Sequence, residues 1–262
     1  MMTSLFTSAT GMKGQQSQID TIANNLANVN TNGFKQTRNN FQDLLYSNEQ
    51  MPGSATSSNT ISPTGLHKGH GVKLAGTQKI FSQGNLTHTG HSLDISIDGG
   101  GFFQVLRPNG TIAYSRDGAW QRDADGRIVN SDGYPLEPEI IIPPEATKVI
   151  ISQDGLIQVL TGDDPTPTKI GNIQLSDFIN PAGLNPIGKN LFLATAASGL
   201  PATSDPGLNG TGTLSQGFLE KSNVSVVDEM VNMIVAQRAY EVNSKSIQTS
   251  DNMLQTAVNL VR

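Results

Sequence analysis

The chain contains no cysteine. A disulfide framework, a cysteine-ligated zinc and a thiol nucleophile are therefore excluded. Charge is scarce as well, at 15% of residues against about 25% in an ordinary globular domain. The formal net charge is -5 and no run of Lys or Arg occurs, so the basic footprint of a nucleic-acid binder is missing. Aromatic residues make up only 5%, too few for the exposed aromatic groove expected of a glycan-binding module. No apolar stretch approaches the roughly 18 residues of a membrane span. The opening residues, MMTSLFTSATGMKGQQ, lack the positive region and unbroken apolar core of a secretory signal peptide. Neither membrane insertion nor a cleaved signal is expected.

What replaces charge is glycine (27 residues) together with abundant Asn, Ser, Thr and Gln. Two ends of the chain nevertheless read as helix. Leu5, Met12, Ile19 and Leu26 recur every seventh residue, with Ile22 and Val29 extending the stripe and Ser8 and Gln15 filling its earlier companion positions. Gly11 and Gly14 weaken this helix, predicted over residues 3–30, by roughly 1 kcal/mol each relative to alanine. At the other end Val226, Met233, Tyr240, Ile247, Leu254 and Val261 keep the same period, with Met230, Gln237, Ser244, Asp251 and Val258 as companions. From Ser225 onward neither Gly nor Pro interrupts, so a helix of about 36 residues, roughly 54 Å long, can form. Each stripe is narrow, like a coiled-coil seam, and needs a partner. The two ends can pair with each other, with other subunits, or with both. Such helices are marginal alone, and both ends are expected to gain order as subunits join.

Between them the period changes to that of strands. FFQVL is followed by Asn109-Gly110, TIAYS by Asp117-Gly118, AWQRD by Asp125-Gly126, RIVNS by Asp132-Gly133, and VIISQ by Asp154-Gly155 and LIQVL. Asn-Gly and Asp-Gly adopt the positive φ angles of tight turns cheaply, so this spacing predicts consecutive hairpins. The fold class is thus mixed: a coiled-coil-like helical domain from both termini (1–30 with 225–262) and an all-β middle domain of hairpins (71–222). Residues 31–70 join them as a linker and polar extended segment. Within it NEQMPGSATSSNTISPTG (48–65) has the composition of a flexible linker.

Catalytic or cofactor chemistry finds no support. His67/His70 and His88/His91 have paired spacing but lie in Gly- and Thr-rich loops, a poor setting for metal ligands. The run Asp98-Gly-Gly-Gly101 leads into a strand instead of a helix, so it is a tight bend and not a phosphate cradle. Asp123-x-Asp125-Gly126 lacks the later ligands of a calcium loop. The carboxylate pairs Glu137/Glu139 and Asp163/Asp164 sit in Pro-rich loops, where burial-raised pKa values are not expected. No enzyme, metal or cofactor is expected, and Trp120 reads as core.

At residues 23–35 the chain reads ANNLANVNTNGFK, and at 222–245 SNVSVVDEMVNMIVAQRAYEVNSK. These resemble the N- and C-terminal signatures of the bacterial flagellar rod and hook proteins. GGGFFQV and YSRDGAW are similar to β-domain segments of the same family, so the resemblance spans nearly the whole chain. The signature residues are Asn24, Asn25, Leu26, Asn28, Thr31, Gly33, Phe34 and Lys35. Length and the segment from Met51 to Gly65 resemble the distal-rod members. A hook or proximal-rod subunit is the nearest alternative, and a secreted β-rich glycan-binding module the alternative from another class. The resemblance implies a structural protein exported by the flagellar type III apparatus without a cleaved signal. It implies a hollow helical homopolymer in the basal body, crossing the periplasm as a drive shaft. Other rod subunits would lie below it, hook or junction subunits above, and ring proteins around it. It also implies that Met51, Pro52, Gly53, Pro63 and Gly65 belong to a stretch that stiffens the polymer.

Overall fold

The computed structural model describes residues 2–53, 55–57, 60–162 and 166–260. The chain forms two compact units. Residues up to 26, 37–78 and 225 onward make the first, and residues 27–36 and 79–224 the second, so the backbone passes between units four times.

The helical unit comprises α1 (Met2–Ala27), six strands and α2 (Val226–Leu260). Ser225 starts α2 by accepting the Asp228 N–H at 3.4 Å, and Asp228 and Glu229 in its first turn suit the positive end of the helix dipole. The helices run antiparallel: Ser4 meets Ser250, Ser8 meets Ser246, the Gly11 position faces Asn243, and Asn25 meets Glu229. The strands are β1 (Thr37–Asp43), β2 (Tyr46–Gln50), β3 (Ala55–Ser57), β4 (Thr60–Ile61), β5 (Leu66–Gly69) and β6 (Val72–Lys79). They pair β1 with β6, β2 with β5 and β3 with β4, which builds one long two-stranded ribbon. Its root lies on α1: Asn39 Nδ2 donates to the Ser17 carbonyl at 3.0 Å and Thr21 Oγ1 donates to Asn39 Oδ1 at 3.0 Å.

The linker-like composition of residues 48–65 is therefore corrected. Their described residues form the outer part of a β-hairpin, in which Tyr46 pairs with Gly69, Asn48 with His67 and Ala55 with Ile61. Composition misled because a two-stranded ribbon with both faces in water buries nothing and needs no apolar alternation.

The second unit holds the remaining strands. In chain order they are β7 (Leu86–His88), β8 (Ile95–Asp98), β9 (Phe102–Leu106), β10 (Ile112–Ser115), β11 (Gln121–Arg122), β12 (Ile128–Val129), β13 (Leu136–Glu137), β14 (Ala146–Ile151), β15 (Leu156–Thr161) and β16 (Thr168–Asn172). Then come β17 (Leu175–Asp177), β18 (Asn185–Gly188), β19 (Leu191–Leu193), β20 (Ala202–Ser204), β21 (Thr213–Gln216) and β22 (Phe218–Glu220). The main sheet has the order β18-β19-β10-β9-β17-β20, with β13 also on β9. Strand β9 is buried on both faces, which explains its continuous apolar run. Phe103 and Val105 join Trp120, Ile157 and Leu175 in one core, and Phe102 packs with Tyr114, Phe178 and Phe192 in another.

Four of the five turn dipeptides close hairpins as expected, with Gly110, Gly126, Gly133 and Gly155 all at positive φ. Asp117-Gly118 does not. Gly118 accepts the Ile95 N–H at 3.0 Å, and a Cβ there would lie 1.7 Å from the Ile95 carbonyl oxygen. Glycine is required for close approach and not for a turn. Gly118→Ala is expected to cost more than about 2 kcal/mol through backbone displacement. Gly133→Ala, open to solvent at φ +81, should cost about 1–2 kcal/mol through left-handed strain. Urea unfolding followed by Trp120 fluorescence compares the two, and equal midpoints would refute the close-approach account.

Candidate functional site

The expected site residues mark surfaces and joints. On α1, Ile22 is buried, while Leu5, Met12, Ile19 and Leu26 are half-buried, as is Val29 beyond the helix end. On α2, Met233, Ile247 and Leu254 are half-buried, Val226 and Tyr240 are exposed, and Val261 lies outside the described residues. The companions on α2 are corrected by one residue. Glu229, Ala236 and Ser250 are buried and Asn243 is half-buried facing Gly11, whereas Met230 and Val258 point to solvent.

The contacts between the helices are thus mixed: Ser, Gly and Asn meet across them, while Ile22 and Ala236 are buried and the heptad Leu, Met and Ile residues half-buried. Gly11 serves the seam directly, since a Cβ there would sit 3.0 Å from Asn243 Nδ2. Larger apolar residues of α2 turn outward: Val227, Val231, Ile234, Val235 and Val242 are all more than half exposed. Beside its partly polar seam, α2 thus carries a second apolar face that the pair itself leaves uncovered. Burying each such side chain fully would be worth about 1.5–3 kcal/mol.

The signature around residues 24–35 serves both units by hydrogen bonding. In the helical unit the Asn25 amide, itself buried, pairs both ways with the Thr37 backbone at 2.9 Å. Its Nδ2 also reaches Glu229 Oε1 at 3.4 Å. Leu26 is half-buried and Asn24 exposed. In the β unit Thr31 Oγ1 donates to Asn28 Oδ1 at 3.1 Å, and Lys79 Nζ lies 4.8 Å above the Phe34 ring. Gly33 has φ +66, and a Cβ would fall 2.7 Å from the Arg116 backbone. Its N–H donates to the Glu220 carbonyl at 2.8 Å.

Lys35 is sealed from solvent. Its Nζ donates to Glu220 Oε1 at 2.6 Å and to the Ser82 carbonyl at 2.8 Å. Arg116 approaches the other carboxylate oxygen at 3.4 Å and donates to the Gly99 carbonyl at 2.6 Å. The Gly84 N–H completes the set at 2.9 Å. Burial pushes the Lys35 amine below its ordinary pKa, opposed by the charge and hydrogen bond of Glu220, and the neighbouring Arg116 charge adds to the lowering. Arg116 is lowered by burial too, against the pull of Glu220 and Asp177.

Arg116 and Glu220 were missed as site residues. Their sequence signal was faint: each stands next to an opposite charge, Arg116-Asp117 and Glu220-Lys221, and reads as part of an ordinary exposed charge pair.

In the ribbon Met51, Pro52, Gly53 and Pro63 are exposed and Gly65 half-buried. The Gly53 N–H donates to the Ser62 carbonyl at 2.9 Å, and Glu49 pairs with Lys68 across the strands. A Cβ on Gly65 would lie 2.6 Å from the Gln50 carbonyl oxygen, so this glycine keeps the strands together.

Family comparisons agree with this geometry. Residues 5–35 match the model for flagella basal body rod proteins, residues 96–159 that of the flagellar hook protein FlgE/F/G D1 domain, and residues 215–260 that of the flagellar basal body rod FlgEFG protein C-terminal region. The chain is 50% identical to the flagellar basal-body rod protein FlgG of Borreliella burgdorferi, over 100% of both chains. It is 51% identical to the FlgG protein of Buchnera aphidicola subsp. Schizaphis graminum, over 97% of this chain and 98% of that one. A flagellar hook-basal body complex protein of Bacillus subtilis, FlhP, is 29% identical over the full length of both.

Lys35→Met leaves Glu220 and the Ser82 carbonyl buried without their cation, and is expected to cost about 3–5 kcal/mol. Lys68→Met removes an exposed ion pair and should cost no more than about 1 kcal/mol. Denaturant titration of the two variants measures the difference; similar losses would show that the buried cluster is not a stabilising joint.

Proposed function

The chain belongs to the flagellar basal-body rod family, and on that footing we propose how it performs the family's work. It is a structural subunit of the flagellar distal rod. Its work is mechanical: copies assemble with one another and with other rod and hook components into a rigid hollow shaft. The shaft transmits torque from motor to hook, crosses the periplasm inside the ring proteins and passes exported subunits. The chain reaches it through the type III apparatus, and no catalytic step is involved.

The observation that carries this reading is the uncovered apolar face of α2. Val227, Val231, Ile234, Val235 and Val242 lie more than half exposed beside a seam of Ser, Gly and Asn contacts, so this apolar surface is available for neighbouring copies. Repeated head-to-tail contact between identical subunits extends as a helix when it does not close. The low charge of the chain limits repulsion between stacked copies. The helix pair gains most of its stability once neighbours cover it.

The ribbon supplies stiffness. Strand β2 extends roughly 17 Å with its side chains exposed, and it forms an edge of a two-stranded sheet. An edge of this kind readily pairs with another chain. Lodged between neighbours, it resists the sliding that bending requires.

Electron microscopy of envelope preparations from a strain lacking this gene tests the assignment. A truncated rod without hook or filament is expected. A complete rod that ends where the hook should begin would reassign the chain to the hook, and normal motile flagella would reject the reading altogether. Deleting residues 51–65 and closing the ribbon with a short turn should leave assembly possible but give a polymer that bends more. A polymer as straight as the parent would remove the ribbon from the account of rigidity.

A further inference from the structure

Three Asn-Gly pairs occur in the chain: Asn32-Gly33, Asn109-Gly110 and Asn209-Gly210. An asparagine before glycine carries an exposed chemical weakness. With no Cβ in the way, the glycine backbone nitrogen can swing onto the asparagine Cγ. It bonds to that carbon and expels the side-chain nitrogen as ammonia, closing a five-membered succinimide. Water then opens either ring carbonyl, leaving aspartate or an isoaspartate with an extra methylene in the backbone. Overall a water is consumed and an ammonia released, with no change of oxidation state.

The fold withholds two of the pairs from this reaction. The Gly33 N–H donates to the Glu220 carbonyl at 2.8 Å, and the buried glycine lies so close to the Arg116 backbone that a Cβ would fall 2.7 Å from it. The Asn32 carbonyl is held as well, by Asn190 Nδ2 at 3.1 Å. At the tip between β9 and β10, the Gly110 N–H donates to the Arg107 carbonyl at 2.9 Å. Asn109 Oδ1 there accepts from the Thr111 N–H at 3.2 Å and from its hydroxyl at 2.7 Å. The attacking nitrogen is engaged in both pairs, and in the second the amide under attack is engaged too.

Asn209-Gly210 has neither restraint. Both residues are exposed in the turn between β20 and β21, with φ +52 and +85. Among the described residues, no group accepts the Gly210 N–H or bonds the Asn209 side chain. A Cβ on Gly210 would meet nothing within 4 Å, so its peptide has room to rotate. One bond closes the turn, from the Thr111-like position Thr211, whose N–H donates to the Leu208 carbonyl at 3.0 Å. The Thr211 hydroxyl also bonds the Asp205 and Leu208 carbonyls at 3.1 and 2.7 Å, which keeps any opening local.

We propose that Asn209 is the deamidation site of the folded chain, converting to aspartate and isoaspartate while Asn32 and Asn109 persist. The product adds a negative charge to the loop of Asp205, which lines a cavity together with Asp154 and Leu208. Aged copies of the folded protein therefore differ from fresh ones by a more acidic outward loop, and the change needs no partner.

The test holds the purified full chain in mildly alkaline buffer, once folded and once in urea, and follows digests by peptide mass spectrometry. In the folded sample Asn209 is expected to gain the mass of an amide-to-acid conversion and to split into two chromatographic products. It should react at least about tenfold faster than Asn32 or Asn109, which must first break additional hydrogen bonds. In urea the three sites should react at similar rates. Folded Asn32 or Asn109 reacting as fast as Asn209, or Asn209 staying intact while all three convert in urea, would overturn the assignment. A hierarchy that survives in urea would do the same, because sequence neighbours and not the fold would then set it. Asn209→Ser should remove the first acidic species that ion exchange separates from the ageing folded chain, and its persistence would also count against Asn209.

Discussion

A carboxylate removed from water must have its lone pairs engaged or it destabilises everything around it, and in the β unit that carboxylate is Glu220. Lys35, Arg116 and the Gly84 N–H converge on its side chain, and Gly33 donates to its carbonyl. These four partners come from three stretches of sequence: Gly33 and Lys35 from the segment after α1, Arg116 from the end of β10, and Gly84 from the loop before β7. The partners of those partners widen the circle, through Ser82 to Lys35 and Gly99 to Arg116. Glu220 thereby fixes where residues 27–36 and 218–224, the first and last passages of the chain through this unit, lie against one another. The Asn25–Thr37 amide pair does a smaller version of the same task in the helical unit.

The helical unit is organised by the opposite rule. Its seam mixes small polar side chains with Ile22 and Ala236, and a set of larger apolar residues on α2 lies outside it. The hydrophobic effect then offers the isolated pair little, because most of the area it could remove from water faces away from the partner helix. The β unit, by contrast, has two hydrophobic cores of its own, a large aliphatic one and a smaller one of aromatic rings. The division of labour follows the composition: the scarce aromatics are concentrated where a subunit must hold itself together.

How far the sequence could be read depended on whether the governing interaction is local. Hairpins at Gly110, Gly126, Gly133 and Gly155 were legible because positive φ at a turn is a two-residue affair. Asp117-Gly118 carries the same letters, yet its glycine answers to Ile95, twenty-odd residues away, and no local pattern reports that. The heptad period of α2 was legible, but not which companion position faces α1. Apolar letters drew the stripe toward Met230 and Val258, and the seam runs through Glu229, Ala236 and Ser250 because its contacts are polar. Glu220 and Arg116 looked like ordinary strand charges, since burial depends on the whole sheet. The ribbon escaped because water on both faces erases the alternation by which strands are recognised.

The root of the ribbon has a consequence for its load path. Gly71 has φ +107, and a Cβ there would lie 2.1 Å from Thr10 Oγ1, against α1. The Leu44 N–H donates to the carbonyl of the same glycine at 2.8 Å. The ribbon is therefore a lever whose fulcrum is the N-terminal helix. A sideways push near Met51 is resisted first by α1 and, through the serine contacts, by α2. The ribbon's root and the helix pair thus share α1, so a change at Thr10 or Gly71 disturbs both at once.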